Sequence, residues 1–214
     1  MARKLIRTQV LKIIEAQGTL ANTDLRDIDL HGIDFNEISL SEAYFYHADL
    51  SYANLSNCDL TRAVLSFVTA NDANFSNSSL AGTSISNITA ENANFSSANL
   101  TRSFTSDSSL QCANFSYANL AGTGFEDFYT SFFHVDLAGS NFTCADMRGI
   151  FIQKTNLADA NLSSADLSHS QLEDVLFAGA NLYNCDFTAA TLTDTYFDDV
   201  VLTGTIMPDG VLHV

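Results

Sequence analysis

Residues 43–65 read AYFYH ADLSY ANLSN CDLTR AVL, with a large apolar residue at every fifth place: Phe45, Leu50, Leu55, Leu60 and Leu65. Outward from there the beat runs back through Leu40, Phe35, Leu30 and Leu25 to Leu20. Forward, past Ala70, it continues as Phe75, Leu80, Ile85, Ala90, Phe95, Leu100, Thr105, Leu110, Phe115, Leu120 and Phe125. It then slips by two and resumes as Phe132, Leu137, Phe142 and onward to Met207. Five is the period of neither an α-helix nor a flat strand, so the repeat itself must build the fold.

Within each unit the residue two before the large one is small, as at Ala43, Ala48, Ala53, Cys58 and Ala63. The other three are polar, mostly Asn or Asp just before the centre and Ser or Thr just after. Two apolar positions two apart point to one side, as strand neighbours do, and the polar residues must carry the chain round a corner. A corner every five residues closes a tube, whose stacked turns give each backbone group a partner. Ala70, Ala90 and Thr105 are undersized centres. Each removes buried methylenes at about 0.8 kcal/mol apiece, and Phe75 and Phe95 are the expected fillers.

The units Ala48-Asp49-Leu50-Ser51-Tyr52, Ala53-Asn54-Leu55-Ser56-Asn57, Ala118-Asn119-Leu120-Ala121-Gly122 and Ala165-Asp166-Leu167-Ser168-His169 resemble the pentapeptide-repeat family, whose consensus is A(D/N)LXX. The resemblance implies an all-β solenoid: a right-handed, four-sided β-helix with four pentapeptides per coil and Leu and Phe along the axis. It implies about nine to ten coils, and at ~4.8 Å per coil a rod on the order of 45 Å long. The expected organisation is a capping helix in 1–17, the β-helix over 18–207 with its two-residue slip near 126–131, and a tail over 208–214.

Leu5, Ile6, Val10, Ile13 and Ile14 recur at helical spacing and Gly18 follows as a stop, so residues 3–16 are expected to form an amphipathic helix over the first coil. Met207-Pro208-Asp209-Gly210 is turn chemistry leading into Val211, Leu212 and Val214. The ending IMPDG also resembles that of family members common in oxygenic photosynthetic bacteria. The basic start has only pairs of adjacent apolar residues, where a signal core needs about 7–15. A bilayer span of about 20 apolar residues is also missing. The expectation is a cytoplasmic protein.

The chain carries 9 basic and 25 acidic side chains for a formal charge of −16, and four of the bases (Arg3, Lys4, Arg7, Lys12) precede the repeats. From Gln17 onward 24 acids face 5 bases, which excludes direct nucleic-acid binding along the body. The acids are unevenly spread: eight in 22–60, three in 61–124 and thirteen in 125–209. Cys58 and Cys185 occupy the small slot, whereas Cys112 and Cys144 stand outside, and no pair lies on one side of adjacent turns. Buried thiols and surface thiols are expected rather than disulfides or a zinc site.

His31, His47, His134, His169 and His213 are scattered, and no metal-ligand spacing or phosphate loop appears. No catalytic residue, cofactor or metal is expected, because a convex rod offers no cleft with convergent groups. The slip region packs five rings into nine residues, of which Phe125 and Phe132 keep the beat while Phe128, Tyr129 and Phe133 have no core place. These three rings either fold back over the coil or form a partner or dimer patch. Two functional readings follow. One is an acidic protein–protein interaction or regulatory rod. The other, borrowed from the resemblance, is a DNA-mimicking modulator of a type II topoisomerase such as gyrase. Whether the chain is monomer or dimer stays open at this stage.

Overall fold

The computed structural model describes residues 4–120 and 131–213. Every fifth residue turns inward: Leu20, Leu40, Leu60, Leu80, Leu100 and Leu120 are buried, as are Leu50 and Leu167. Parallel bridges join Asp29 to Asp49 and Asn54 to Asn74, so four five-residue sides complete one turn of a parallel β-solenoid. One wall is regular enough to form strands: β1 (Ser84–Ser86), β2 (Phe104–Ser106), β3 (Ser131–Phe133), β4 (Phe151–Asn156), β5 (Gln171–Leu176) and β6 (Thr191–Tyr196). They make a parallel sheet in chain order.

This six-stranded sheet spans five turns, fewer than the nine to ten coils expected. Toward the N-terminus the same wall persists as single bridges, Lys4 to Asp24, Tyr44, Val64 and Ser84, each one turn further on. A corner every five residues leaves little length for a continuous strand. The corners themselves have a signature. The residue two after nearly every described centre takes a left-handed backbone, with φ of 56° at Asn57, 58° at Arg62 and Phe67, and 56° at Asn77. Few of these positions are glycine, although left-handed backbone favours it.

Polar side chains secure many of the corners locally. Oδ1 of Asp49, Asn54, Asp59 and Asn74 accepts the backbone N–H two residues on, at 2.9–3.2 Å. Along one side the asparagines also form a ladder, Asn74 to Asn54, Asn94 to Asn74 and Asn114 to Asn94, each Nδ2 donating at 3.2 Å. Beneath that ladder runs a column of rings. Phe75, Phe95, Phe115 and Phe142 stack with centroids 4.7, 4.8 and 4.9 Å apart and planes within 4° of parallel.

Both ends depart from the repeat. Helix α1 spans Arg7–Glu15, a shorter element than the 3–16 expected. The reason is competition: Lys4 and Leu5 are extended, and the Leu5 N–H donates to Asp24 O at 3.0 Å, adding a bridge above the first coil. Leu5 and Val10 are buried and Ile13 and Ile14 pack on the core, but Ile6 is exposed, against expectation. The helix ends as Gly18 N–H donates to Ile13 O and Gln17 N–H to Ile14 O, with Gln17 left-handed at φ 51°. A Cβ on Gly18 would sit 3.0 Å from Ile13 Cγ2 and 3.2 Å from Ile13 O, a tight fit to which Ile13 would have to yield. Arg7 seals the first coil, its guanidinium donating to the carbonyls of Asp29 and His31 at 2.8 and 2.9 Å. At the other end the tail folds back antiparallel, pairing Leu212 with Ile206. Leu192, Phe197 and Leu202 of the last coil are only partly buried.

The insertion costs more chain than the beat alone reveals. β2 pairs with β3 as Phe104 to Ser131. Two sides further on Asn114 meets Asn141, a separation of 27, whereas Asn94 and Asn114 are separated by 20. The wall position one turn after Thr105 is filled by Phe132. Phe125 lies outside the described residues. Thr105 leaves a gap lined by Ile85, Leu110, Phe115 and Phe132 that is too tight for a water molecule, and its buried hydroxyl has no hydrogen-bond partner among the described residues. Thr105→Val is therefore expected to stabilise the protein by about 1–2 kcal/mol, because it removes an unpaired buried hydroxyl without changing shape. A urea-unfolding midpoint that falls on substitution would show that the hydroxyl is in fact bonded.

Candidate interaction surface

The sheet wall is where the exterior stops looking like the repeat. Its inward residues are Ile85, Thr105, Phe132, Ile152 and Leu172, so the alternate residues of each strand face out. Phe104 is 48% exposed there, and Phe133 and Phe151 are half-buried. Lys154 lies over the Phe133 ring, its Nζ 5.8 Å from the centroid. Beside them, Asp107 Oδ1 and His134 Nδ1 are 3.1 Å apart. A shallow cavity of about 440 Å³ runs along this corner, lined by Asp107, Ser109, His134, Asp136, Lys154 and Asn156. Asp136 is already engaged by Gln111 and Asn156 through Nε2 and Nδ2, at 2.7 and 3.2 Å. Such a corner is suited to ionic contact and hydrogen bonding.

Nearer the N-terminus the same wall carries a second group. Tyr44, Tyr46 and Phe67 are 45%, 39% and 42% exposed, with His47 among them. Tyr46 lies 4.3 Å from His47 and 5.1 Å from Phe67 between ring centroids, and His47 lies 5.2 Å from Phe67.

Most bases are committed to nearby acids. Arg26 grips Asp24 through Nε and Nη2 at 2.8 and 2.6 Å, which holds the Asp24 carboxyl down at about 2, well below the usual carboxylate range. Lys4 pairs with Asp27, Arg7 with Asp29, Arg62 with Glu42, and Arg148 with Asp146 and Asp166. Two of the four leading positive charges thus hold the N-terminal segment to the first coil. Among the described residues no helix is long and apolar enough to cross a membrane, and no three metal-binding side chains cluster. Cys58 is buried, its thiol donating to Phe35 O at 3.0 Å, and burial pushes its pKa up to about 12. Burial raises Cys185 likewise, whereas Cys112 and Cys144 are exposed free thiols at left-handed corners.

The four-sided turn, the inward fifth residues and the Asx-secured corners coincide with a match to the family model for pentapeptide repeats, in eight copies between residues 23 and 210. The chain belongs to the pentapeptide-repeat family. Three solved structures of such proteins resemble this one. HetL, involved in heterocyst differentiation regulation in the cyanobacterium Nostoc sp. strain PCC 7120, is 25% identical, with 98% of this chain and 100% of that one covered and a TM-score of 0.49. QnrB1, a plasmid-mediated fluoroquinolone resistance protein, is 18% identical over 83% and 92% of the two chains, with a TM-score of 0.44. Rfr23 from the cyanobacterium Cyanothece 51142 is 17% identical over 76% and 96%, with a TM-score of 0.28. Comparison with curated proteins gives no significant match.

Of the rings singled out in this pentapeptide-repeat protein, Phe133 stands on the sheet wall, while Phe128 and Tyr129 lie outside the described residues. The sequence reading missed Phe104 and the cluster of Tyr44, Tyr46, His47 and Phe67. The available signal was not local density of rings but spacing close to one full turn, as from Tyr46 to Phe67, which places residues on neighbouring coils.

Proposed function

We propose that this pentapeptide-repeat protein is a non-enzymatic interaction rod that regulates a protein partner through its sheet wall. Its supporting observation is the exposed aromatic side chains there, above all Phe104 beside Phe133 and Lys154. Equivalent outward positions on β1, β5 and β6 hold Ser84, Gln171 and Thr191, so the fold does not require rings. Aromatic side chains that folding does not need are characteristic of binding hot spots. Phe133 joins Phe104 in this proposed contact surface, and Phe128 and Tyr129, which lie outside the described residues, are proposed as partner contacts on their sequence alone.

Mimicry of DNA toward a type II topoisomerase is the alternative, favoured by the net charge of −16. Steering of that kind needs a continuous field, whereas residues 61–124 carry only Asp72, Glu91 and Asp107 against Arg62 and Arg102. Two assays separate the readings. Purified gyrase should supercoil DNA equally well with and without excess protein; inhibition would favour mimicry. Affinity capture from lysate should recover a protein that a Phe104→Ser/Tyr129→Ser variant loses. Capture that is unaffected by these changes and abolished by salt would overturn the aromatic contact surface.

A further inference from the structure

The Tyr44, Tyr46, His47 and Phe67 cluster is separated from the Phe104 and Phe133 surface by the turn of Ser84, and nothing in the repeat calls for it. At the position of Tyr46 other turns carry Arg26, Ser66 and Ser86; at that of Phe67 they carry Asp27 and Asn87. Phe67 also holds a left-handed backbone, φ 58°, which a bulky side chain adopts at a cost. Its side chain is 42% exposed.

Resting on the interaction-rod reading, we infer that this cluster receives an arginine-bearing segment of the partner protein. Three observations specify that chemistry. First, the Tyr46, His47 and Phe67 rings already touch one another, so little freedom is lost when a ligand settles on them. Second, the surroundings are negative. Of the eight acids in residues 22–60, Asp27, Asp29, Asp24 and Glu42 pair with Lys4, Arg7, Arg26 and Arg62, which leaves Asp34, Glu37, Asp49 and Asp59 outside those ion pairs. Asp49, two residues after His47, is among those left over. Third, the protein uses a ring as a cation seat elsewhere, with Lys154 over Phe133. A guanidinium suits this arrangement better than an ammonium, because it is planar, stacks on rings and reaches a carboxylate with two N–H groups at once.

The test uses the full chain and two fluorescent dodecapeptides of equal charge, one alternating arginine with glycine and one alternating lysine with glycine. The arginine peptide is expected to bind about fivefold more tightly, the scale of an exposed cation–π contact. Tyr46→Ser/Phe67→Ser should abolish that preference, and Tyr183→Ser, an exposed ring elsewhere, should keep it. Equal binding of the two peptides, or a preference that survives the double variant, would overturn the assignment. So would a dimer seen by sedimentation that the double variant dissolves, since the occupant would then be a second copy. Capture from lysate separates this inference from the broader one. A protein retained by the double variant but lost on Phe104→Ser/Tyr129→Ser leaves the rod reading standing while this inference fails.

Discussion

Phe95→Ala is expected to lower stability by about 3–5 kcal/mol, the usual cost of emptying a buried ring site. Phe95 is sandwiched between Phe75 and Phe115 at 4.7 and 4.8 Å with nearly parallel planes, so one truncation breaks two contacts. Stacked pairs carry energy beyond area alone, on the order of 0.5–1.5 kcal/mol each. Collapse cannot fill the hole, because Ala90 and Thr105 already leave the neighbouring walls thin. Phe95→Leu should recover part of the loss. Urea unfolding followed by circular dichroism measures both, and amide exchange should rise first near residues 90–100, since turns of a solenoid depend mainly on their neighbours. An alanine variant with an unchanged midpoint would refute the stack as a source of stability.

Asn77→Pro should cost about 3 kcal/mol or more, while Asn77→Gly should change stability by less than about 1 kcal/mol. Asn77 is exposed, so volume plays no part. What matters is its backbone: φ is 56°, and its N–H donates to Ser96 O on the next turn at 2.9 Å. Proline fixes φ near −65° and has no N–H, so it fails on both counts. Glycine enters the left-handed region freely, and its gain there offsets the extra freedom it gives the unfolded chain. Thermal unfolding of the pair tests the corner conformation itself. Tolerance of proline would mean that the corners do not turn as described.

How much could be read in advance varies by element. The inward residues were legible because one side chain in five is large and apolar at a fixed interval, and burial along the axis removes that whole series from water. The Asn and Asp bonds that secure the corners are local too, since they join atoms two residues apart. Helix α1 was legible as an element but not at its start, where Leu5 and Lys4 bridge to Asp24 rather than wind into the helix. Exposure of Ile6 follows from that choice. The slip was visible as two residues in the beat. Its real size, seen in the separation of 27 between Asn114 and Asn141, was hidden because adding a whole unit leaves the phase unchanged.

By itself, then, the sequence determined the inside and outside of this protein, its family and the acidity of its surface. Tertiary structure alone decided which outward residues meet: the Tyr46, His47 and Phe67 rings, the seat of Lys154 on Phe133, and the sealing of the first coil by Arg7. The physical reason is distance along the chain. A five-residue period is a local steric property that each unit displays separately. Contact between turns depends on what stands a whole coil away, which is fixed only once the coil closes and its turns stack.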